Sequence, residues 1–177
     1  MKKAVSVSKG MRQLPIRAVY LVSMEHEGKK NIISVGMFTV VSLHPRLVGV
    51  GIAPSRYSYH LIRNSGEFIV NIVDETLMDA VRICGEKSGR NVNKFELANL
   101  TPEKTSETNA PLIKESPFNI ECKVVQEVEI GDHVWFIGQV VATYMDEKYG
   151  WRDALLLSRK EVGHGSYYRV GERLRNY

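Results

Sequence analysis

Pro54 to Ser58 reads Pro-Ser-Arg-Tyr-Ser, which puts two hydroxyls and a guanidinium within five positions. Directly after it, Ser58 to Asn64 has the make-up of a short helix, and Gly66 marks its stop. Hydroxyls, a guanidinium and free amides at a helix start together make a phosphate cradle. Ser55 or Ser58 would cap that helix. Arg56 reads equally well as a solvated loop charge. A second stretch, "NIISVGMFT" from Asn31 to Thr39, offers backbone donors and acceptors, the Ser34 hydroxyl and a bare Cα at Gly36. A third is Gly49 and Gly51, two apart and so on one face of a strand. A strip without side chains suits close approach by another backbone or by a flat ligand, and tight packing accounts for it as well.

The usual machinery of protein-based catalysis is missing. The chain has no phosphate-loop signature, no G-x-G-x-x-G opening a long helix, no H-E-x-x-H and no G-x-S-x-G. Its five histidines (His26, His44, His60, His133, His164) contain no pair at ligand spacing, so no metal is expected. No nucleophile stands beside a base, and no residue is assigned as catalytic. Clustered glycines and convergent polar groups without a reactive side chain point to reactivity borrowed from a bound cofactor.

Something must position these groups. The 177 residues suit a single domain spanning 1–177, and a 44% hydrophobic, 25% charged composition is globular. A net charge of +4 favours an anionic ligand but is too mild to argue for nucleic acid. No run reaches membrane-span length, and the N-terminus lacks the apolar core of a signal peptide. Cys84 and Cys122, far apart, read as buried free thiols in a reducing, cytoplasmic compartment.

β-type runs dominate. Ala18 to Met24 reads as a strand, Glu27 to Lys30 as a charged turn, and Asn31 onward as a second strand or pair. "DETLMDAVRICG" predicts a helix opened by Asp74 or Thr76, with Leu77, Val81 and Cys84 on one face and Gly85 at its end. A long polar loop, Glu86 to Pro111, is expected to be functional or an interface. Gly131-Asp132 splits two further runs as a hairpin turn. In the first of these, Ile120, Cys122 and Val124 alternate with Asn119, Glu121 and Lys123, so one face should be buried and the other wet. "DALLLS" suggests a last short strand before a basic tail. Many short strands and few helices point to a closed β-barrel, because closure removes edges.

In this order and spacing, "NIISVGMFTVVSLHPRLVGVGI", "SGEFIVNI", "NKF", "GDHVWFIGQVV" and "GSYYRVG" resemble the flavin reductase-like, FMN-binding split-barrel proteins. The likeness is greatest to the flavoredoxin and archaeal flavoprotein branch, and runs from about Pro15 to Gly171. It implies a mainly β fold, an FMN-binding split β-barrel of Greek-key type with a few short helices, and a homodimer. It also implies that Asn31 and Met37, with Ser34, Val35, Gly36 and Phe38, line the ring and ribityl chain. Ser58 with Ser55, Arg56 and Tyr57 would meet the phosphate. Lys94, His133 and Tyr167 complete the implied set, with Lys94 and His133 as candidates for steadying negative charge on the reduced ring. Two positions depart from the family pattern: an aromatic residue, often tryptophan, is common where Met37 stands, and threonine where Ser58 stands. A thioether still packs on a ring, and serine keeps the hydrogen bond.

The activity implied is an oxidoreductase that passes hydride or electrons through bound FMN to an acceptor. The donor would be NADH, NADPH or a redox protein. Ferric or other metal reduction, and a non-enzymatic electron carrier, remain as alternatives. A small basic barrel binding nucleic acid is disfavoured because no basic-aromatic run is present.

Overall fold

Alternating apolar runs become strands almost throughout the chain. The computed structural model describes residues 2–11, 17–150, 154, 156–161 and 164–168. It begins with helix α1 (Val7–Met11) and a short strand β1 (Arg17–Ala18). Strands β2 (Tyr20–His26) and β3 (Lys29–Val35) form a hairpin turned at Glu27 and Gly28, whose φ values are 50° and 77°. Positive φ at both central positions matches the right-handed twist of the flanking strands. A second hairpin joins β4 (Phe38–Leu43) to β5 (Arg46–Ile52). Helix α2 (Tyr57–Ser65) then leads into β6 (Glu67–Ile72), and a 3-10 turn leads into helix α3 (Met78–Glu86). The polar excursion holds a one-turn helix α4 (Lys94–Leu97) and the paired strands β7 (Pro102–Glu103) and β8 (Leu112–Ile113). The long hairpin β9 (Phe118–Ile130) and β10 (His133–Met145) follows, turned at Gly131 with φ of 62°. Last come β11 (Leu156–Glu161) and β12 (His164–Tyr168), which form a small sheet with β1, so part of the expected tail is a strand.

The main sheet has the antiparallel order β3-β2-β6-β9-β10-β5-β4. Inserting β6 beside β2, far from its chain neighbour β5, is a Greek-key-type crossover. The sheet curls until Tyr20 on β2 meets Phe38 on β4 with ring centroids 4.4 Å apart. No ladder joins β3 to β4, so the barrel is split rather than closed. Inside it Val22, Met24, Val50, Phe68, Val70 and Phe136 form the core, and α2 contributes Tyr59, Leu61 and Ile62 to the same cluster.

A second apolar layer lies outside the barrel. Leu21 and Ile32 turn outward against Leu77, Val81 and Cys84. The expected helix opens as a 3-10 turn: the Asp74 side chain caps Glu75–Leu77 by accepting from the Thr76 amide at 2.9 Å, and α3 itself starts at Met78 without a side-chain cap. It passes Gly85 and ends at Glu86, with Lys87 in the C-cap position.

β9 corrects the expected wet face. Asn119 and Glu121 are 4% and 0% exposed, because the segment from Thr105 to Ile113 folds over them. Glu121 accepts from the Glu107 amide, the Thr108 hydroxyl and the Tyr144 phenol at 3.2, 2.8 and 2.9 Å. Beside it, Asn71 donates to the Leu21 carbonyl and the Ser23 hydroxyl, and accepts from the Ile113 amide and Asn119 Nδ2. Asn71 thus points out of the barrel into a closed polar bracket. Both thiols are free and buried, as expected.

Candidate functional site

The helix after Pro54 forms because Tyr59, Leu61 and Ile62 bury together and stopper the barrel. Its end is set by Gly66 at φ 70°, whose amide donates to the Ile62 carbonyl at 2.8 Å. Its start differs from expectation. Arg56 occupies the capping position, and no side chain caps the first amides. A helix start without a cap leaves donors and a partial positive charge directed at whatever lies in front of it.

What lies in front is a cleft of about 290 Å³ between α2, β3 and the end of α3. From β3, Asn31 reaches across to α2, and its Nδ2 donates to Ser58 Oγ at 2.8 Å. Asn31 is 1% exposed, and its Oδ1 has no hydrogen-bond partner. A buried amide oxygen without a donor costs roughly 1–3 kcal/mol, so such an atom beside a cleft marks where a donor belongs. Ser34 also lines the cleft, but its hydroxyl donates to the Val81 carbonyl at 2.6 Å, which ties β3 to α3.

Lys94 forms the floor. Its Nζ donates to the Ile32 carbonyl at 2.7 Å and to the Cys84 carbonyl at 2.8 Å, so one buried ammonium staples strand to helix. Burial lowers its pKa, the neighbouring Cys84 opposes that, and the nearby Arg56 guanidinium lowers it further. The Cys84 thiol is pushed up to about 11, chiefly by burial, and stays protonated at neutral pH.

The fourth wall is the segment Lys87–Arg90. Gly89 lies so close to β3 that an added Cβ would overlap Asn31, reaching its Cγ at 2.6 Å. Arg90 crosses to the α2 side, donating to the Ser55 carbonyl at 3.3 Å with its guanidinium 5.5 Å above the Tyr57 ring. Arg56, Lys87, Arg90 and Lys94 therefore face one cleft, whose single acid, Glu86, pairs with Arg82 outside it. This electrostatic surplus suits a dianion.

Of the residues singled out in the sequence, Asn31, Ser34, Ser55, Arg56, Tyr57, Ser58 and Lys94 converge on this cleft. The others stand elsewhere. Val35 turns into the core, Gly36 is exposed with open space around it, and Phe38 packs on Tyr20. Met37 and Trp135 cover the Cα of Gly51, while Val41 and Trp135 cover that of Gly49. The flat group over the glycine strip is therefore the chain's own indole. His133 sits at the β9–β10 turn, 2.7 Å from Asp132, one position before the pairing of Val134 with Ile52. Tyr167 lies on β12 opposite Leu157, and its side chain falls outside the described residues. Sequence reading flagged the loop Glu86 to Pro111 as functional or an interface, but singled out none of Lys87 to Arg90. Their signal was a Lys-Ser-Gly-Arg run inside a polar loop, a composition that solvated loops share.

Among the described residues no cluster of His, Cys, Asp and Glu could hold a metal, and no helix is long and apolar enough to cross a membrane.

Residues 11–166 match the family described as "Flavin reductase like domain". A relative from Archaeoglobus fulgidus without a described activity is 38% identical over 127 residues, 72% of this chain and 71% of its own. A flavin reductase of Pseudomonas putida is 30% identical over 128 residues, 72% of each chain. Among solved structures, the flavoredoxin of Methanosarcina acetivorans superposes with a TM-score of 0.86 at 27% identity, covering 99% of this chain and 95% of that one.

Proposed function

Because the chain belongs to the flavin reductase-like family, we propose that it binds FMN in the cleft described above. There it would pass hydride or electrons from NADH, NADPH or a redox protein to an acceptor. The observation that carries this reading is the orphaned Asn31 Oδ1, buried beside an uncapped helix start and four unneutralised cations. A flavin offers the matching parts: hydroxyl and N–H donors for an amide oxygen, and a dianionic phosphate for the cations. When bound, FMN supplies the one- and two-electron chemistry that the side chains lack.

The chain's own groups then have separable tasks. The first amides of α2, with Ser55, Arg56 and Tyr57, hold the phosphate, worth about 1 kcal/mol from the helix end alone. Ser58 is buried and accepts from Asn31, so it orients the amide as much as it meets the ligand. Lys94 keeps a positive charge on the floor where a reduced cofactor carries negative charge. The backbone of Val35, Gly36, Met37 and Phe38 continues the ligand's track past the cleft. His133, proposed with Lys94 to steady negative charge on the reduced ring, and Tyr167 are assigned through the family likeness, since His133 does not line the cleft and the Tyr167 side chain falls outside the described residues.

The exposed strand β4, with Val40, Val41 and Leu43 at 59%, 48% and 66% exposure, is an unpaired apolar edge. It supports assembly as a homodimer, because such edges are otherwise aggregation-prone. The free thiols suit a cytoplasmic location.

A second reading, a flavoredoxin-type electron carrier, is favoured by near-complete superposition on a flavoredoxin. The visible spectrum of pure protein, and the mass of the flavin released on denaturation, test FMN binding. Steady-state oxidation of NADH or NADPH with excess free FMN then separates the two: turnover supports the reductase, and slow hydride uptake with fast partner exchange supports the carrier. Colourless protein that refuses added FMN would sink both.

A further inference from the structure

Arg90 links the two walls at the phosphate end of the cleft. It leaves the α3–α4 segment, donates to the Ser55 carbonyl at 3.3 Å and covers the Tyr57 ring at 5.5 Å. Those two residues flank Arg56 at the uncapped start of α2. We propose that Arg90 is a latch that selects the mononucleotide flavin against the dinucleotide, an inference that rests on the flavin reading above.

Three observations argue for it. The position of the latch is the first. A phosphate monoester ends at the α2 amides, whereas a dinucleotide must continue as a pyrophosphate through the gap that Arg90 spans. To admit the second phosphate and the adenosine, the guanidinium has to leave both Ser55 and Tyr57. A monoester makes no such demand, because a guanidinium has five N–H donors and can meet the terminal oxygens while its plane stays on the ring.

Charge acts in the same direction. A terminal phosphate carries close to two negative charges at neutral pH, but each phosphate of a pyrophosphate diester carries one. The total is the same, but the monoester concentrates it on one phosphorus, within reach of Arg56, Lys87 and Arg90 together, where the pyrophosphate spreads it over two.

The latch is also anchored behind. Gly89 packs on Asn31 with no room for a Cβ. The backbone before Arg90 is thus held against β3, and relief for a longer ligand has to come from the side chain itself. The cleft's volume, about 290 Å³, is at the small end for a ligand site.

Titration of the deflavinated full chain with FMN and FAD, followed by flavin fluorescence and calorimetry, tests this. The wild-type protein should bind FMN about tenfold or more tightly than FAD. R90A removes the latch and should narrow that ratio to about twofold, mainly because FAD is no longer penalised. R90K keeps the charge but cannot span the fork or stack on Tyr57, and should narrow the ratio almost as far while holding FMN affinity better than R90A. Equal affinity of the wild type for both flavins overturns the latch. So does an equal loss of both flavins in R90A with the ratio intact, since Arg90 then supplies charge alone. A wild-type chain that takes up neither flavin overturns the flavin reading, a result separable from failure of the latch.

Discussion

Asn31 Nδ2 donates to Ser58 Oγ at 2.8 Å, across 27 positions of sequence, and so pins β3 to the first turn of α2. The bond turns the other amide atom, Oδ1, toward Gly89 at the cleft wall without giving it a partner. This geometry gives one half of the amide a structural bond and leaves the other half free for the proposed ligand.

Asn31→Asp tests that separation. Ser58 can donate to the new carboxylate, so the β3–α2 link survives and the melting temperature should change little. A negative charge now faces the cleft, and FMN affinity should fall by about tenfold or more. Asn31→Ala should instead cost about 1–2 kcal/mol of stability, because Ser58 is left buried without its donor. Urea midpoints and flavin titrations on both variants distinguish the two effects. Unchanged FMN affinity in the Asp variant would contradict the placement of Oδ1.

Two glycines should respond oppositely to alanine. A Cβ on Gly138 would lie 2.6 Å from Phe68 Cζ and 2.9 Å from Cys122 Cβ, inside the barrel core. Gly138→Ala should destabilise by about 1–3 kcal/mol through overpacking. Gly36 has nothing within 4 Å and no positive φ, so Gly36→Ala should leave the denaturation midpoint within about 0.5 kcal/mol of the parent. Chemical denaturation of the pair is the check.

Glu121 should govern acid sensitivity. Burial alone would raise its pKa, but hydrogen bonds from Thr105, Thr108 and Tyr144 outweigh it, and the carboxyl titrates below its ordinary 4.5. Its contribution is therefore present above pH 4.5 and lost as pH falls through the lowered folded value. Glu121→Gln should cost about 2 kcal/mol at pH 7. It should also lose less than the parent between pH 5 and 3, which melting curves across that range would show.

The thiols act at the other extreme. Burial, with Glu121 beside it, raises Cys122 from 9.0 to about 12, and burial raises Cys84 to about 11. Their stabilisation is complete below pH 9 and disappears as pH rises through these folded values, at up to about 1.4 kcal/mol per pH unit for each thiol. Lys94 works against this trend: its lowered pKa adds stability as pH climbs toward 10.5. Cys122→Ala should start less stable because of its cavity, yet decline less steeply between pH 9 and 11. Parallel slopes for parent and variant would rule out the Cys122 contribution.

Much of the architecture could be read from local pattern. Gly66 and Gly131 stand where the chain needs positive φ, and Asp74 caps a 3-10 turn just before the helix it was expected to open. Convergence of Asn31 with Ser58 and Lys94 was visible only through family resemblance, since no local rule joins positions 27 and more apart. Glu121 and Asn119 misled because their alternation is that of a solvated face. Nothing nearby shows that residues 105–113 return to cover them with matched donors. The Gly49/Gly51 strip was ambiguous for a similar reason, as its cover, Trp135, comes from a strand more than eighty positions away.

Strands β2 and β6 are apolar on the barrel side and covered on the outer side too, so hydrophobicity alone would tolerate sliding one past the other by a residue. Asn71 removes that freedom. It faces Leu21 on one neighbour and Asn119 on the other, and only this alignment satisfies both ends of its amide. One asparagine in a greasy interior thus acts as an indexing tooth: it adds little adhesion, but it makes every misaligned pairing carry a stranded polar group.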